Sequence, residues 1–158
     1  MAQSPLEEKP ELRITRRYAV TPEKVWRAWT DPQALSQWFG PGDTHSVTRA
    51  DLDVRVGGRY HIAFRTQDGQ EHDVSGVYQE VEQDRKLVFT WAWKSTPERV
   101  SLVTIELRPT PQGTELAFLH EQFVDMEARN NHERGWTRTF SKLDSLMASN
   151  LATFLNGE

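Results

Sequence analysis

The pentapeptide HERGW, residues 132–136, contains the clearest candidate for chemistry in this sequence. His132 and Glu133 match the first half of H-E-x-x-H, in which two histidines one helical turn apart bind zinc and the glutamate acts as a general base. The second histidine has to stand four residues after the first, so that both imidazoles reach one ion. Trp136 occupies that position. We therefore predict that His132 binds no metal.

Helical spacing favours a different role for His132. It lies four residues before Trp136, so both side chains project from the apolar face of a helix. The histidine is then either a residue at the edge of the core, satisfied by one hydrogen bond, or a polar group inside an otherwise apolar pocket. Gly135 costs about 1 kcal/mol relative to alanine inside a helix, and we interpret it as permitting close approach to a strand or loop.

The other residues that could do chemistry form no recognisable constellation. The chain has no cysteine, which excludes thiolate metal sites and thiol nucleophiles. An inward-facing His120, at the end of its strand, can approach His132, and acid–base catalysis needs such inward groups. No carboxylate that would orient either one is visible, so no catalytic residue and no cofactor is predicted. The remaining histidines, which show no ligand spacing, are His45, His61 and His72. The hydroxyl side chains that cannot be placed as nucleophiles are Ser75, Thr90 and Ser101.

The pattern of apolar residues predicts an α+β fold. Residues 12–20 alternate as a strand does, and residues 21–39 contain two short helices that begin at Pro22 and Pro32. From there to residue 121, apolar residues recur at every second position, and short turns interrupt this pattern. It predicts an antiparallel meander of six to seven strands in all. A helix over about 126–155 follows, and its apolar stripe must lie across the curved sheet. The apolar residues of this stripe are Trp136, Phe140, Leu143, Met147, Leu151 and Phe154.

Length and composition narrow the possible functions. We expect residues 1–11 to be a flexible tail and residues 12–156 to be a single domain. The net charge of −4 argues against nucleic-acid binding, which depends on Lys and Arg meeting phosphates. No apolar run reaches the roughly 20 residues of a membrane span, and no apolar signal core is visible, so we expect a cytoplasmic protein. Six Trp and seven Phe indicate a heavy core or an apolar pocket.

Four motifs together resemble a known family. They are VTPEKVWRAWTDPQALSQWFGPG, DLDVRVGGRY, LVFTWAW and HERGWTRTFSKLDSLM, which occur in this order over about residues 12–150. The chain is similar to the family of the activator of the heat-shock protein 90 ATPase, within the START-like (SRPBCC) superfamily. The resemblance implies a helix-grip fold, in which a curved antiparallel sheet surrounds a long C-terminal helix. It also implies a hydrophobic small molecule between sheet and helix, no universal catalytic motif, and a chaperone as a possible partner.

These observations predict a protein that binds a small hydrophobic or aromatic ligand between the sheet and the C-terminal helix. Two alternatives stay open: an enzyme (cyclase, isomerase or hydrolase) that acts on a hydrophobic substrate there, and a co-chaperone-like interaction module. The predicted ligand-binding residues are Trp38, near the mouth of the pocket, and Tyr60, Phe64, Phe89, Trp91, Trp93, Phe118, His120, His132, Trp136 and Phe140.

Overall fold

The computed structural model describes residues 9–40 and 46–155. It contains seven strands: β1 (Leu12–Tyr18), β2 (Val47–Leu52), β3 (Arg59–Arg65), β4 (Glu71–Glu82), β5 (Lys86–Trp93), β6 (Ser101–Thr110) and β7 (Gly113–Glu121). Its helices are α1 (Pro22–Thr30), α2 (Pro32–Ser36) and α3 (Met126–Leu155). The predicted α+β class, with two short helices after the first strand and a long C-terminal helix, is confirmed. No helix in the described part of the chain is long and apolar enough to cross a membrane.

The strands form one antiparallel sheet in the order β1-β7-β6-β5-β4-β3-β2. Short turns make β2 to β7 neighbours in chain order, whereas β1 pairs with β7 at the opposite edge. The connection from β1 to β2 therefore has to cross the sheet, and it contains α1 and α2. Register shifts between Val47 and Arg49 and between Tyr78 and Glu80 mark irregular pairing, and such bulges bend a sheet.

The core lies between one face of this sheet and α3. Every second residue of β5, β6 and β7 points into it, as strand geometry requires. On α3 the buried residues follow the predicted spacing of four, three and four, so this part of the stripe is confirmed. The buried residues on this face of the three strands are Leu87, Phe89, Trp91, Ser101, Val103, Ile105, Leu107, Thr114, Leu116, Phe118 and His120, and the buried apolar residues of the helix are Trp136, Phe140, Leu143 and Met147.

The starts of α2 and α3 set the position of the residues around the site. The Asp31 carboxylate accepts a hydrogen bond from the backbone N–H of Gln33 at 3.2 Å, and Pro32 occupies the first helical position. The Asp125 carboxylate accepts one from the N–H of Ala128 at 2.8 Å. Both caps satisfy N–H groups that a helix start leaves unpaired.

Some expectations lie outside the described residues. They concern residues 1–8 of the predicted tail, His45, which belongs to the range 41–45, and the side chains of Leu151 and Phe154. The division into a tail and one domain stays a prediction.

Candidate functional site

A cavity of about 270 Å³, partly open to solvent, lies between the sheet and the N-terminal half of α3. This volume is near the lower end of the roughly 300–1,000 Å³ typical of small-molecule pockets. Residues from the segment that follows α2, from three strands and the loops beside them, and from α3 form its wall. They are Phe39, Gly40, Phe64, Thr66, His72, Trp91, Trp93, Ser95, Asn131, His132, Gly135, Trp136 and Thr139.

Five Phe and Trp rings contribute to this wall. Trp91 stands at the centre, with ring centroids 5.2 Å from Trp136, 5.4 Å from Trp93 and 6.1 Å from Phe39. Phe64 completes the set at 6.0 Å from both Phe39 and Trp93. Tilted and edge-to-face ring pairs at these distances stabilise the fold by more than the burial of their surface alone. Among the described residues, no Asp, Glu, Lys or Arg lines the cavity.

His120 does not line the cavity, and each of its ring nitrogens forms a hydrogen bond with a buried side chain. The Trp136 Nε1–H donates to His120 Nδ1 at 3.0 Å, so Nδ1 is unprotonated. The neutral imidazole then has its proton on Nε2, which lies 2.7 Å from Ser101 Oγ. Ser101 in turn donates to the carbonyl oxygen of Trp91, 3.3 Å away. Every donor and acceptor of the imidazole is used.

This hydrogen-bond arrangement determines whether His120 can act as a general base for Ser101. A serine nucleophile would have to give its proton to Nε2, and that nitrogen already carries one because Trp136 occupies Nδ1. Protonating both nitrogens would place an N–H against the indole N–H of Trp136. Burial lowers the pKa of His120 well below its ordinary value of 6.5, and the neighbouring His132 acts in the same direction. The pair Ser101–His120 is therefore a structural contact and not an activated nucleophile.

His132 is satisfied in a similar way. The Trp93 Nε1–H donates to its Nε2 at 2.9 Å, so the proton is on Nδ1, which donates to the carbonyl oxygen of Ala128 at 2.7 Å. Burial lowers the pKa of His132, although the bond to Ala128 opposes this. His132 therefore combines features of both interpretations: it has two hydrogen bonds where the sequence predicted one, and its ring forms part of the cavity wall.

The two imidazoles also lie close together, with ring centroids 5.1 Å apart. The predicted approach of His120 and His132 is therefore observed, and because both are neutral they do not repel each other. Both nitrogens of His132 are engaged, so neither is free for an ion. Within residues 9–40 and 46–155, no group of three His, Cys, Asp or Glu is arranged to hold a metal. That His132 binds no metal stays a prediction.

The predicted ligand-binding residues divide into two groups. Five of them line the cavity: Phe64, Trp91, Trp93, His132 and Trp136. The other six are buried away from its wall: Trp38, Tyr60, Phe89, Phe118, His120 and Phe140. A side chain that points inward on a strand can meet either the core or the cavity, and its position along the strand decides which.

The position predicted for Trp38, near the mouth of the pocket, is wrong. Its side chain is 0% exposed, and its Nε1–H donates to the carbonyl oxygen of Ala28 at 2.9 Å. The following residue, Phe39, lines the cavity instead. The short helix α2 ends at Ser36 and turns the chain so that Trp38 packs under α1, with its ring centroid 4.6 Å from Trp29.

Eight residues of the wall were not predicted from the sequence. Three of them form a stripe on α3 at a spacing of four: Asn131, Gly135 and Thr139. This stripe runs beside the apolar one through His132, Trp136 and Phe140, so small and polar residues at helical spacing were the available signal. The remaining missed residues are Phe39, Gly40, Thr66, His72 and Ser95.

The interpretation of Gly135 as a site of close approach is also wrong. A Cβ atom added at this position would meet no atom within 4 Å. Gly76 in β4 shows the contrasting case, because a Cβ there would lie 2.0 Å from the carbonyl oxygen of Thr90. Gly135 therefore faces open space.

Comparison with known proteins places this fold in a family. Residues 19–148 match the family described as "Activator of Hsp90 ATPase homolog 1-like protein". The AHSA1 (SPO3351) protein from Silicibacter pomeroyi is 30% identical, with 89% of this chain and 99% of that chain covered and a TM-score of 0.78. Protein CV1439 from Chromobacterium violaceum is 28% identical, with 87% and 96% covered and a TM-score of 0.77.

A more distant structure supports the fold alone. SA2116 from Staphylococcus aureus, a protein of unknown function, is 21% identical, with 93% of this chain and 99% of that chain covered and a TM-score of 0.78. Among curated proteins, none matches the chain significantly.

Proposed function

The chain belongs to the activator of Hsp90 ATPase homolog 1-like family, and from this membership and the cavity we propose that it binds a small, uncharged aromatic molecule between the sheet and α3. The resemblance to the START-like superfamily, on which the helix-grip prediction rested, agrees with this membership. The observation that carries the proposal is the cavity of about 270 Å³ with five aromatic rings in its wall.

The energetics of the cavity support a ligand more than an imperfect core. An empty space in a core costs about 24 cal/mol per Å³, so 270 Å³ corresponds to roughly 6 kcal/mol if it were sealed, and to less because it opens to solvent. A ligand that contacts these rings recovers the dispersion energy that the open space forfeits.

The absence of charged side chains from the described part of the wall supports an uncharged ligand. A carboxylate or ammonium group moved out of water without a partner is strongly disfavoured. His132 cannot supply a positive charge, because burial lowers its pKa and both of its nitrogens are engaged. Ser95 and Asn131 are exposed, so polar contacts are available where the wall meets solvent.

The same geometry makes an enzyme the weaker alternative. His120 does not line the cavity, and His132 has no free nitrogen with which to move a proton. His72 does line it, and within the described residues its hydrogen-bond contact is the Thr66 hydroxyl, 3.4 Å from Nε2. General acid–base catalysis would have to rest on that residue.

Titration with N-phenyl-1-naphthylamine, a neutral probe that fluoresces in apolar sites, tests the proposal. We expect saturable binding to the wild type, and weaker binding to Trp93→Ala, because Trp93 lines the cavity. Trp26→Ala is the matched control: Trp26 is also partly buried, lies on α1 and does not line the cavity. Native mass spectrometry of the purified protein is the complementary measurement, because it shows whether a small molecule co-purifies. No saturable binding together with no co-purified molecule would rule the proposal out.

A chaperone partner and a cytoplasmic location stay predictions. The family is named after an activator of the Hsp90 ATPase, so pull-down of this chaperone by the intact protein, and stimulation of its ATPase, are the direct measurements of the first.

A further inference from the structure

We infer that Gly135 determines how large a ligand the cavity accepts; this inference rests on the proposed function. Gly135 lies inside α3 and lines the cavity together with Asn131 and Thr139, one helical turn away on either side. The three residues share one face of the helix because side chains four positions apart are superposed along its axis.

The usual structural reasons for a glycine do not apply at this position. Its backbone is helical, so it does not need the left-handed conformations that glycine permits. A Cβ would meet no atom within 4 Å, so close packing does not require its absence. Glycine is nevertheless the least favourable residue in a helix interior after proline. The absence of a side chain at Gly135 therefore leaves this part of the cavity open.

The floor of the cavity at this point is bare backbone. The Thr139 hydroxyl donates to the carbonyl oxygen of Gly135 at 2.9 Å, so that carbonyl already has a side-chain partner. Trp136, the next residue along the helix, contributes an adjoining part of the wall. A flat ring can therefore lie against the Cα of Gly135, and any side chain at this position would occupy the same space.

The size of the effect follows from the volume. A methyl group takes up about the space of one water molecule, roughly 30 Å³, which is about a tenth of the 270 Å³ cavity. An alanine should therefore affect a ligand that fills the cavity and spare a smaller one. A leucine should occupy most of the space next to the helix.

The test compares two neutral probes of different size, naphthalene and N-phenyl-1-naphthylamine, on three variants. Gly135→Ala should bind the larger probe about tenfold more weakly and naphthalene with nearly unchanged affinity. Gly135→Leu should lose the larger probe. Gly135→Ala should also unfold at a temperature about 2–4 °C higher than the wild type, which separates weaker binding from damage to the fold.

Thr137→Ala is the matched control, because Thr137 is exposed, lies two residues away on α3 and does not line the cavity. It should also favour the helix while leaving both probe affinities unchanged. If the wild type binds both probes and the two Gly135 variants keep wild-type affinity for the larger one, the inference is wrong and the proposed function stands. Equal weakening of both probes in Gly135→Ala likewise contradicts size selection. If the wild type binds neither probe, the proposed function fails and the inference fails with it.

Discussion

Replacing His120 by glutamine should make the protein less sensitive to mild acid. His120 is 0% exposed and is held neutral between the indole of Trp136 and the hydroxyl of Ser101. A glutamine side chain offers an acceptor oxygen and an NH2 donor group, in place of the acceptor and donor nitrogens of the neutral imidazole, but it does not titrate. The variant therefore removes the proton-binding group while both neighbours keep a potential partner.

The direction of the effect follows from the lowered pKa. The folded protein excludes a proton at His120, whereas the unfolded chain binds one near the ordinary pKa of 6.5. The contribution of His120 to stability is therefore present above pH 6.5 and is lost as the pH falls below it. Between pH 7.5 and pH 5.5 this loss amounts to at most about 1.4 kcal/mol, the value for one histidine that takes up no proton in the folded protein over this interval. Carboxylates and His132 contribute equally to the wild type and the variant, so they cancel in the comparison.

Urea unfolding at the two pH values, followed by far-UV circular dichroism and tryptophan fluorescence, measures the effect. We expect the free energy of unfolding of His120→Gln to fall less than that of the wild type over this interval, by up to about 1.4 kcal/mol. The variant should be less stable at pH 7.5, because glutamine loses the ring contact with Phe123, whose centroid is 4.3 Å away. Probe affinity should be unchanged, because His120 does not line the cavity.

Ser101→Ala is the control that separates titration from stability. It removes the hydrogen-bond partner of His120 Nε2 and should cost about 1–3 kcal/mol, but the imidazole stays buried. Its free energy of unfolding should therefore fall between pH 7.5 and pH 5.5 by at least as much as in the wild type. If His120→Gln loses as much stability as the wild type over this interval, the prediction is wrong, because the fold then does not hold His120 neutral.

Three further predictions follow from other parts of the structure. Naphthalene-2-carboxylate should bind at least tenfold more weakly than the uncharged 2-naphthalenemethanol in equilibrium titrations, because the described wall offers no positive charge to a carboxylate; equal affinities would contradict an uncharged site. Gly76→Ala should lower the free energy of unfolding in urea by about 2 kcal/mol or more, because a Cβ at Gly76 would lie 2.0 Å from the carbonyl oxygen of Thr90; an unchanged urea midpoint would contradict this. Treatment with EDTA should change neither the unfolding temperature nor probe binding, because both nitrogens of His132 are engaged; stoichiometric metal in an elemental analysis would contradict this.

The elements of secondary structure, and the side of each element that faces the core, could be predicted from the sequence. Trp136, Phe140, Leu143 and Met147 were predicted as one stripe, and all four are buried on α3. Such a pattern is local, because a helix or a strand repeats its direction every few residues whatever it packs against. The combination of four motifs in order also indicated the family, which the comparisons confirm.

The tertiary structure alone decided which inward residues line the cavity. Phe89 and Trp91 point to the same side of β5, yet Phe89 lies in the core and Trp91 in the cavity wall. The difference arises because α2 places Phe39 against Trp91 and α3 places Trp136 beside it. These contacts join segments far apart in the chain, so no local periodicity could reveal them.

The roles of the two histidines and of Gly135 also depend on contacts between segments that are far apart in the chain. A sequence pattern can show that His120 and His132 face inward, but a ring nitrogen becomes a donor or an acceptor only when a specific neighbour reaches it. Those neighbours, Trp136 and Trp93, come from another element in each case. For Gly135 the deciding fact is an empty volume, and an empty volume depends on all the elements that surround it, because each of them could have filled it.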